Sequence, residues 1–305
     1  MVTLEQQQQQ RPTYKDTLIR GREFLLNRLA GASADMVLNP VRDDGKMPPP
    51  ADLSATIKQT LDDLKATAMD QDGAKVDYAA LRASPAYAAY QEECLVKLQR
   101  FQPRKLGTAE AQRAFWINLY NALVLDAVIA LDVHDSVTEG WLGMLSFFRR
   151  AAYIVDGQRV SLEDIEHGIL RGNRGNPYVP GVHFAATDAR RAWSLPLDPR
   201  IHFALNCGGN SCPPIQSYAP QRLDAQLDLA ARNFVNAAVQ TYPESNEVYL
   251  SQILRWYKGD FGSREEMIDF LIAHLADDAR RDILANNRDT YRFVYTPYDW
   301  RLNCM

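Results

Sequence analysis

Apolar positions recur at helical spacing through most of the chain. From Tyr14 to Ala30 they fall at Leu18, Leu25 and Leu29, with Ile19 and Leu26 beside them, which predicts an amphipathic helix that Gly31 closes in the left-handed conformation. Its polar face, with Lys15, Arg20, Arg22 and Arg28, is mostly basic. The expectation is a helix packed on its own domain, a protein partner or a membrane surface being the other occupants such a stripe fits. Leu53, Ile57, Leu61 and Leu64 repeat the pattern, and Val76 to Tyr78 reads as a short extended lead into a helix through Tyr87, Tyr90 and Leu95. After Thr108, an expected N-cap, the pattern changes, because Ala114 to Leu125 is apolar on nearly every side. A helix without a solvent face is one the rest packs around, so residues 111–131 are predicted to form a central buried helix. This stretch approaches membrane-spanning length, yet Asn118, Asn121 and Asp126 within it argue against a transmembrane span. The two asparagines share one side of it, and a buried amide left unpaired costs about 1–3 kcal/mol, so both must meet partners from elsewhere in the chain.

Shorter periods appear further on. Asp156-Gly157 between β-prone runs predicts a hairpin over 153–160. Ser161 and Asp164 resemble a capping box opening a helix that runs to Arg171 and ends at Gly172. Its core stripe is Leu162, Ile165 and Ile169, which puts Glu163, His167 and Arg171 together on a neighbouring face. Residues 172–200 read as a long ordered loop. Ile201 to Asn206 alternates with period two and predicts a strand, with a glycine-containing turn from Cys207 to Pro214 behind it. A helix follows from Pro220 to Ala238, then a strand near 248–250, helices from Gln252 and Ser263, and a last strand from Tyr291 to Tyr295. With no repeat and no regular β-α-β alternation, the fold class is α+β: the central helix, a small sheet and surrounding helices. The segment NPVRDDGKMPPP at 39–50 reads as a linker. The expected organisation is a disordered Gln-rich tail over 1–13, a helix and linker over 14–50, and a single domain over 51–305.

Charge narrows the partners. In 305 residues, 34 Lys and Arg stand against 38 Asp and Glu, a net charge of −4, so no basic excess points to nucleic acid. Four cysteines in so long a chain are too few for a disulfide framework. The N-terminus runs from Met1 to Glu5 into Gln6 to Gln10, without the basic start and apolar core of a secretory signal, so a cytoplasmic protein with reduced thiols is expected.

Two of the cysteines, Cys207 and Cys212, sit five apart in one loop, and three readings of that loop compete. In the first, Cys207 is a nucleophile, with His202 or His167 as base and Asn118, Asn121, Glu163 or Asp164 orienting the ring. Amides around Gly208 and Gly209 would then stabilise an oxyanion, with Asn210, Ser211 and Cys212 beside the substrate and Arg171 binding its carboxylate or phosphate. Cys207 is preferred over Cys212 because it directly follows the strand and precedes the glycines. In the second, His202, Cys207, Cys212 and His167 bind zinc, although the cysteine spacing lacks the usual second pair. In the third, the residues are structural, and the cysteines pair if the turn brings their Cα atoms within about 7 Å.

Five motifs carry a family resemblance: FWINLYNA at 115–122, SLEDIEHGILR at 161–171, DPRIHFALNCGGNSCP at 198–213, ILRWY at 253–257 with Asp260-Phe261-Gly262, and YDWRLN at 298–303. Together, from about residue 76 to the C-terminus, they resemble domain of unknown function family 547. The family occurs in bacteria and, in plants, behind leucine-zipper or other regulatory segments, and it has no assigned activity. The resemblance implies that Asn118, Asn121, His167, Arg171, His202, Cys207, Ser211 and Cys212 stand in signature blocks; Gly209, where the family often has alanine, is a small departure. The functional expectation is a thiol-dependent hydrolase or acyl transferase acting on a small molecule or peptide, with no cofactor. The alternatives are an interaction module with a buried polar network, docking through its N-terminal helix, and a His/Cys metal-binding protein.

Overall fold

A computed structural model describes residues 13–39, 52–140 and 142–305. The tail before Thr13 and the linker from Pro40 to Pro50 lie outside the described residues. Thr13 itself caps the N-terminal helix, Tyr14–Leu29, in a reciprocal capping box with Asp16.

That helix meets the rest of the protein by its polar side. Asp16 accepts a hydrogen bond from the Ala186 N–H at 2.6 Å, Arg20 donates to Thr187, Arg22 donates to the Val182 carbonyl at 2.7 Å, and Arg149 donates to Glu23 and Asn27. The apolar stripe points outward instead, with Leu18, Leu25 and Leu29 each more than half exposed. The reason is the chemistry of the surface it faces: loop 180–187 presents backbone carbonyls and amides, which arginine and aspartate satisfy and leucine cannot.

The central helix spans Ala109–Ala130, and Thr108 caps it by accepting from the Ala111 N–H. Every residue from Ala114 to Val128 is buried in the protein. Among the described residues this one helix is long and apolar enough to cross a membrane, a character its central position explains. Asp126 is tolerated there because Tyr87, Tyr153 and Gln91 all donate to its carboxylate, at 2.6, 2.7 and 2.8 Å. Helix Leu53–Ala68 packs on one side through Leu53, Ile57, Leu61 and Leu64, and the segment from Tyr78 to Leu98 continues as short helical turns.

The fold is α+β with two small sheets. Strands β1 (Ala152–Val155) and β2 (Gln158–Ser161) form the expected hairpin, and Asp156 and Gly157 both take positive φ at its turn, 47° and 70°. Strand β4 (Glu247–Ser251) pairs antiparallel with β3 (Gln240–Tyr242) and parallel with β5 (Arg292–Thr296). The apolar interior divides into a large cluster around the central helix and a second one under β4 and helices Leu223–Ala238 and Arg264–His274.

The strand expected at 201–206 is a single-turn 3-10 helix, Pro199–Phe203, followed by an irregular turn. Asp198 caps it by accepting from Arg200 N–H, and Pro199 supplies its fixed φ. Period two misled because every residue from Ile201 to Asn206 is buried, so the alternation separates no core face from a solvent face. The backbone finds no strand partner; the Asn121 side chain takes its place, donating to Ala204 C=O at 3.0 Å and accepting from Asn206 N–H at 3.0 Å. Asn118 does the same for Tyr218, with both bonds at 2.8 Å.

Asn121→Ala therefore orphans one buried N–H and one buried C=O, and urea denaturation should show a loss of about 2–3 kcal/mol. The joint substitution Leu18→Ser and Leu25→Ser should stay within about 0.5 kcal/mol of the parent, since both side chains are exposed.

Candidate functional site

The capping box of Ser161 and Asp164 forms as expected, with Ser161 N–H and Oγ both 2.8 Å from the Asp164 carboxylate. The helix it opens is wound as a π-helix over Asp164–Leu170, ending with Arg171 N–H on the Glu166 carbonyl. Such turns widen a helix and re-aim its side chains. Gly168 is required in it, because a Cβ there would lie 2.2 Å from the Phe184 ring.

Glu163, His167 and Arg171 do share one face. Arg171 is buried and donates to Asp260 through Nε and Nη2, at 2.5 and 2.9 Å. Its Nη1 lies 3.0 Å from His167 Nδ1. A guanidinium only donates, so Nδ1 is the acceptor and the proton of a neutral His167 sits on Nε2. That Nε2 is 3.9 Å from Glu163 Oε2. On the other side of Asp260, His202 Nε2 lies 2.9 Å from Oδ2, and the ring stacks on Tyr257 with centroids 3.9 Å apart. The result is one continuous buried chain of hydrogen bonds, His202, Asp260, Arg171, His167, with Glu163 next to its end. Burial works to raise the Asp260 pKa, but the hydrogen bonds from His202 and Arg171 outweigh it and hold the carboxyl at about 2. Burial pushes both imidazoles down, His167 well below its ordinary value with the Arg171 charge adding to the effect, and His202 against the pull of Asp260.

Above this chain opens a cavity of about 680 Å³. Its walls are largely apolar, with Leu142, Phe148, Leu205, Ile253, Trp256 and Trp300, and Glu163, Glu166, His167 and His202 also line it. The two glutamates differ. Glu166 accepts from two phenols, Tyr120 at 3.1 Å and Tyr257 through a very short bond, and burial holds both phenols well above their ordinary pKa, so they remain donors. Glu163 Oε1 accepts from Asn176 at 3.0 Å, but its buried Oε2 has no hydrogen-bond partner among the described residues, where the nearest cation is Arg149 Nη2 at 3.5 Å. Burial raises the Glu163 pKa in spite of Arg149.

The loop from Asn206 to Pro214 supplies Cys207, Cys212 and Pro213 to the cavity wall, and several expectations change there. Cys207 and Cys212 are joined in a disulfide with Cα atoms 6.1 Å apart, where reduced thiols were expected, so Cys207 presents no free thiolate. Neither imidazole is hydrogen-bonded to a sulfur; the group that touches both is the Tyr298 hydroxyl, 3.3 Å from Cys207 and 3.1 Å from Cys212. Of the expected oxyanion amides, that of Gly208 is engaged within the chain, as are those of the three residues after Gly209. Gly208 N–H donates to Asn206 Oδ1, Asn210 N–H to Arg301 C=O, Ser211 N–H to Asp299 C=O and Cys212 N–H to Gly209 C=O. Gly208 holds φ +86°, and a Cβ at Gly209 would stand 3.2 Å from the Asp299 carbonyl. Asn210 and Ser211 thus tie down the C-terminal residues, Asn118 and Asn121 hold backbone and orient no ring, and Arg171 is committed to Asp260 and the Gly175 carbonyl. His167, His202, Cys207 and Cys212 line one cavity, yet among the described residues no three His, Cys, Asp or Glu side chains are grouped to hold a metal ion.

Glu166, Tyr257, Asp260 and Tyr298 were not singled out from the sequence. All four stand inside the quoted motifs, which was the available signal.

The site thus belongs to an α+β protein whose acid–base groups line an apolar cavity. Residues 103–235 match the sequence model of a family described as a protein of unknown function, DUF547. The matched span holds the central helix, the π-helix and the disulfide loop, while Tyr257, Asp260 and Tyr298 lie beyond it. No curated protein and no solved structure matches the chain.

The depressed imidazoles make stability pH-dependent. Below about pH 6.5 the unfolded chain takes up protons at His167 and His202 and the folded one does not, so unfolding gains protons and stability falls with acidification. His167→Gln should remove up to about 1.4 kcal/mol per pH unit from that slope between pH 5.5 and 6.5, measured as the difference from the parent in urea titrations.

Proposed function

We propose that the protein is an acid–base enzyme of the hydrolase or acyl-transfer class, acting on a largely apolar small molecule or peptide side chain held in the cavity. The observation that carries this reading is Glu163: the residue lines the cavity, its Oε2 is buried with no hydrogen-bond partner among the described residues, and burial raises its pKa. A group poised in this way exchanges a proton with a bound substrate nearer to neutral pH than an ordinary carboxylate does. His167 Nε2 stands 3.9 Å from the same oxygen, too far for a hydrogen bond, and the neutral ring keeps a proton there to donate without adding charge. His202, with Asp260 accepting from its Nε2–H, keeps Nδ1 as an acceptor, and the residue lines the same cavity. The cavity's volume and apolar lining suit a small ligand fixed by a few polar groups. A thiol route through Cys207 requires the disulfide to open first.

A second reading, a binding module without turnover, is favoured by the mutual pairing of Arg171, Asp260 and His202, which leaves those three groups structurally occupied. Glu163→Gln separates the two. With p-nitrophenyl esters of acyl chains from acetate to dodecanoate as probes, the parent should turn over the longer chains. Glu163→Gln should lower kcat about a hundredfold to ten-thousandfold while KM moves less than about twofold. Turnover unaffected by the substitution rejects the role of Glu163. Saturable binding of an apolar fluorescent dye by both proteins, with no turnover of any ester, selects the binding module.

A further inference from the structure

We propose that the Cys207–Cys212 disulfide is an exchange site for uncharged apolar small thiols, in which Cys207 is the sulfur attacked and Cys212 the sulfur released. This inference stands apart from the acid–base reading, since it uses the cysteine pair and Tyr298 and no step of it uses Glu163. The cross-link joins residues only five apart in a loop that is already fixed without it. Asn121 holds Asn206 N–H, Asn206 holds both Gly208 N–H and the Pro213 carbonyl, and the Asn210 and Ser211 amides are bonded to the C-terminal segment. Opening the bond therefore leaves the loop in place. Both sulfurs belong to half-buried residues that line the cavity, within reach of a molecule bound there.

The two sulfurs are not equivalent. Cys212 Sγ lies 3.1 Å from the Cys207 N–H and 3.1 Å from the Tyr298 hydroxyl, two donors for a thiolate. Cys207 Sγ has the same hydroxyl at 3.3 Å and no amide. Tyr298 packs against Trp256 and Trp300, and burial raises its pKa, so the phenol keeps the proton it donates. Of the two sulfurs, Cys212 is the better leaving group and, once reduced, the better thiolate. This reverses the preference for Cys207 drawn from its place after the expected strand. The thiol's character follows from the walls: aromatic and aliphatic side chains accept an apolar body, and the Glu163 and Glu166 carboxylates disfavour an anionic one.

The step balances with a small thiol as reductant. Its thiolate forms a bond to Cys207 Sγ while the Cys207–Cys212 bond breaks, and that electron pair stays on Cys212. A second thiolate then attacks the thiol-derived sulfur of the mixed disulfide, releasing Cys207, and Cys207 and Cys212 each take up a proton from water, replacing the two the small thiols lost on ionising. Two thiols are oxidised to one disulfide, and the cysteine pair is reduced to two thiols.

The test uses the full chain with Cys304→Ser, which removes the exposed free thiol and leaves buried Cys94. After treatment with oxidised glutathione, intact mass establishes the closed pair. Benzyl mercaptan and glutathione are then compared at equal thiolate concentration, with iodoacetamide quenching and peptide mass analysis. Benzyl mercaptan should open the pair roughly tenfold faster or more. Early quenches should carry the benzylthio group on Cys207 and the carbamidomethyl group on Cys212, with the circular dichroism spectrum unchanged. Tyr298→Phe should slow alkylation of reduced Cys212 several-fold and move its pH profile upward. The adduct on Cys212 with Cys207 alkylated overturns the proposal. So does failure of the pair to close, opening only upon unfolding, or glutathione reacting as fast. Should Tyr298→Phe not fold, the adduct position in the chain with Tyr298 intact decides.

Discussion

The buried ion pair between Arg171 and Asp260 ties the larger apolar cluster of the interior to the smaller one. Arg171 follows Ile169 and Leu170 of the larger apolar cluster, and Asp260 precedes Phe261 of the smaller one. Both charges are buried, so neither is tolerable alone: removing one partner of such a pair costs about 3–5 kcal/mol because the other is left uncompensated. The geometry meets that demand with two parallel N–H···O bonds, the Gly175 carbonyl on the third guanidinium nitrogen and Tyr257 under the cation at 4.9 Å. A further effect is chemical. Because Arg171 can only donate, it sets which nitrogen of His167 carries the proton, and Asp260, as an acceptor, does the same for His202.

Against this satisfied background the carboxylates can be ranked by their partners. Asp126 lies in the most apolar helix of the protein, yet three donors surround it, and its position is structural. Asp164 is held by Ser161, His183 and Arg190, which overcome its burial and keep it ionised. Glu166 has a phenol on each oxygen. Glu163 alone of these four keeps an oxygen buried and unbonded, and it does so where a ligand has room to sit. Of these four acids three are fully paired and the fourth, a residue of the cavity wall, is not, and an incompletely paired buried acid beside a cavity is where chemistry is to be expected.

Much of the architecture was legible in the chain. The central helix, the 153–160 hairpin and the capping box each rest on a local signal that tertiary packing reinforces: apolar residues on every side, Asp-Gly in a turn, Ser and Asp three apart. The alignment of Glu163, His167 and Arg171 was equally readable, because helical spacing survives the widening to a π-helix. What failed had non-local causes. Ile201 to Asn206 alternates like a strand, but its backbone partners are the side chain of Asn121, far away in sequence. The asparagines were recognised as needing partners, yet only the folded chain shows that those partners are backbone groups and not imidazoles. The outward-facing leucines of the first helix follow from which surface lies beneath it, which no local pattern encodes. Asp260 and Tyr298 were missed for the same reason: each acquires its role from a residue 58 or more positions away.

The glycine-containing loop illustrates how one set of backbone groups excludes one chemistry while permitting another. Amides at 208, 210, 211 and 212 would have to point into the cavity to stabilise an oxyanion, but each is turned to a carbonyl or to Asn206. Those bonds give the loop its rigidity, and that rigidity makes the cysteine pair dispensable to the fold. A disulfide that carries a loop's structure resists opening, since reduction then sacrifices the native packing around it; one laid over a loop pinned by other means loses only the covalent bond itself. The remaining asymmetry, one backbone N–H aimed at Cys212 and none at Cys207, is enough to distinguish two sulfurs that share the same hydroxyl. Reactivity in this loop therefore resides in the sulfurs and Tyr298, while the amides of Gly208, Asn210, Ser211 and Cys212 serve to hold the loop in place.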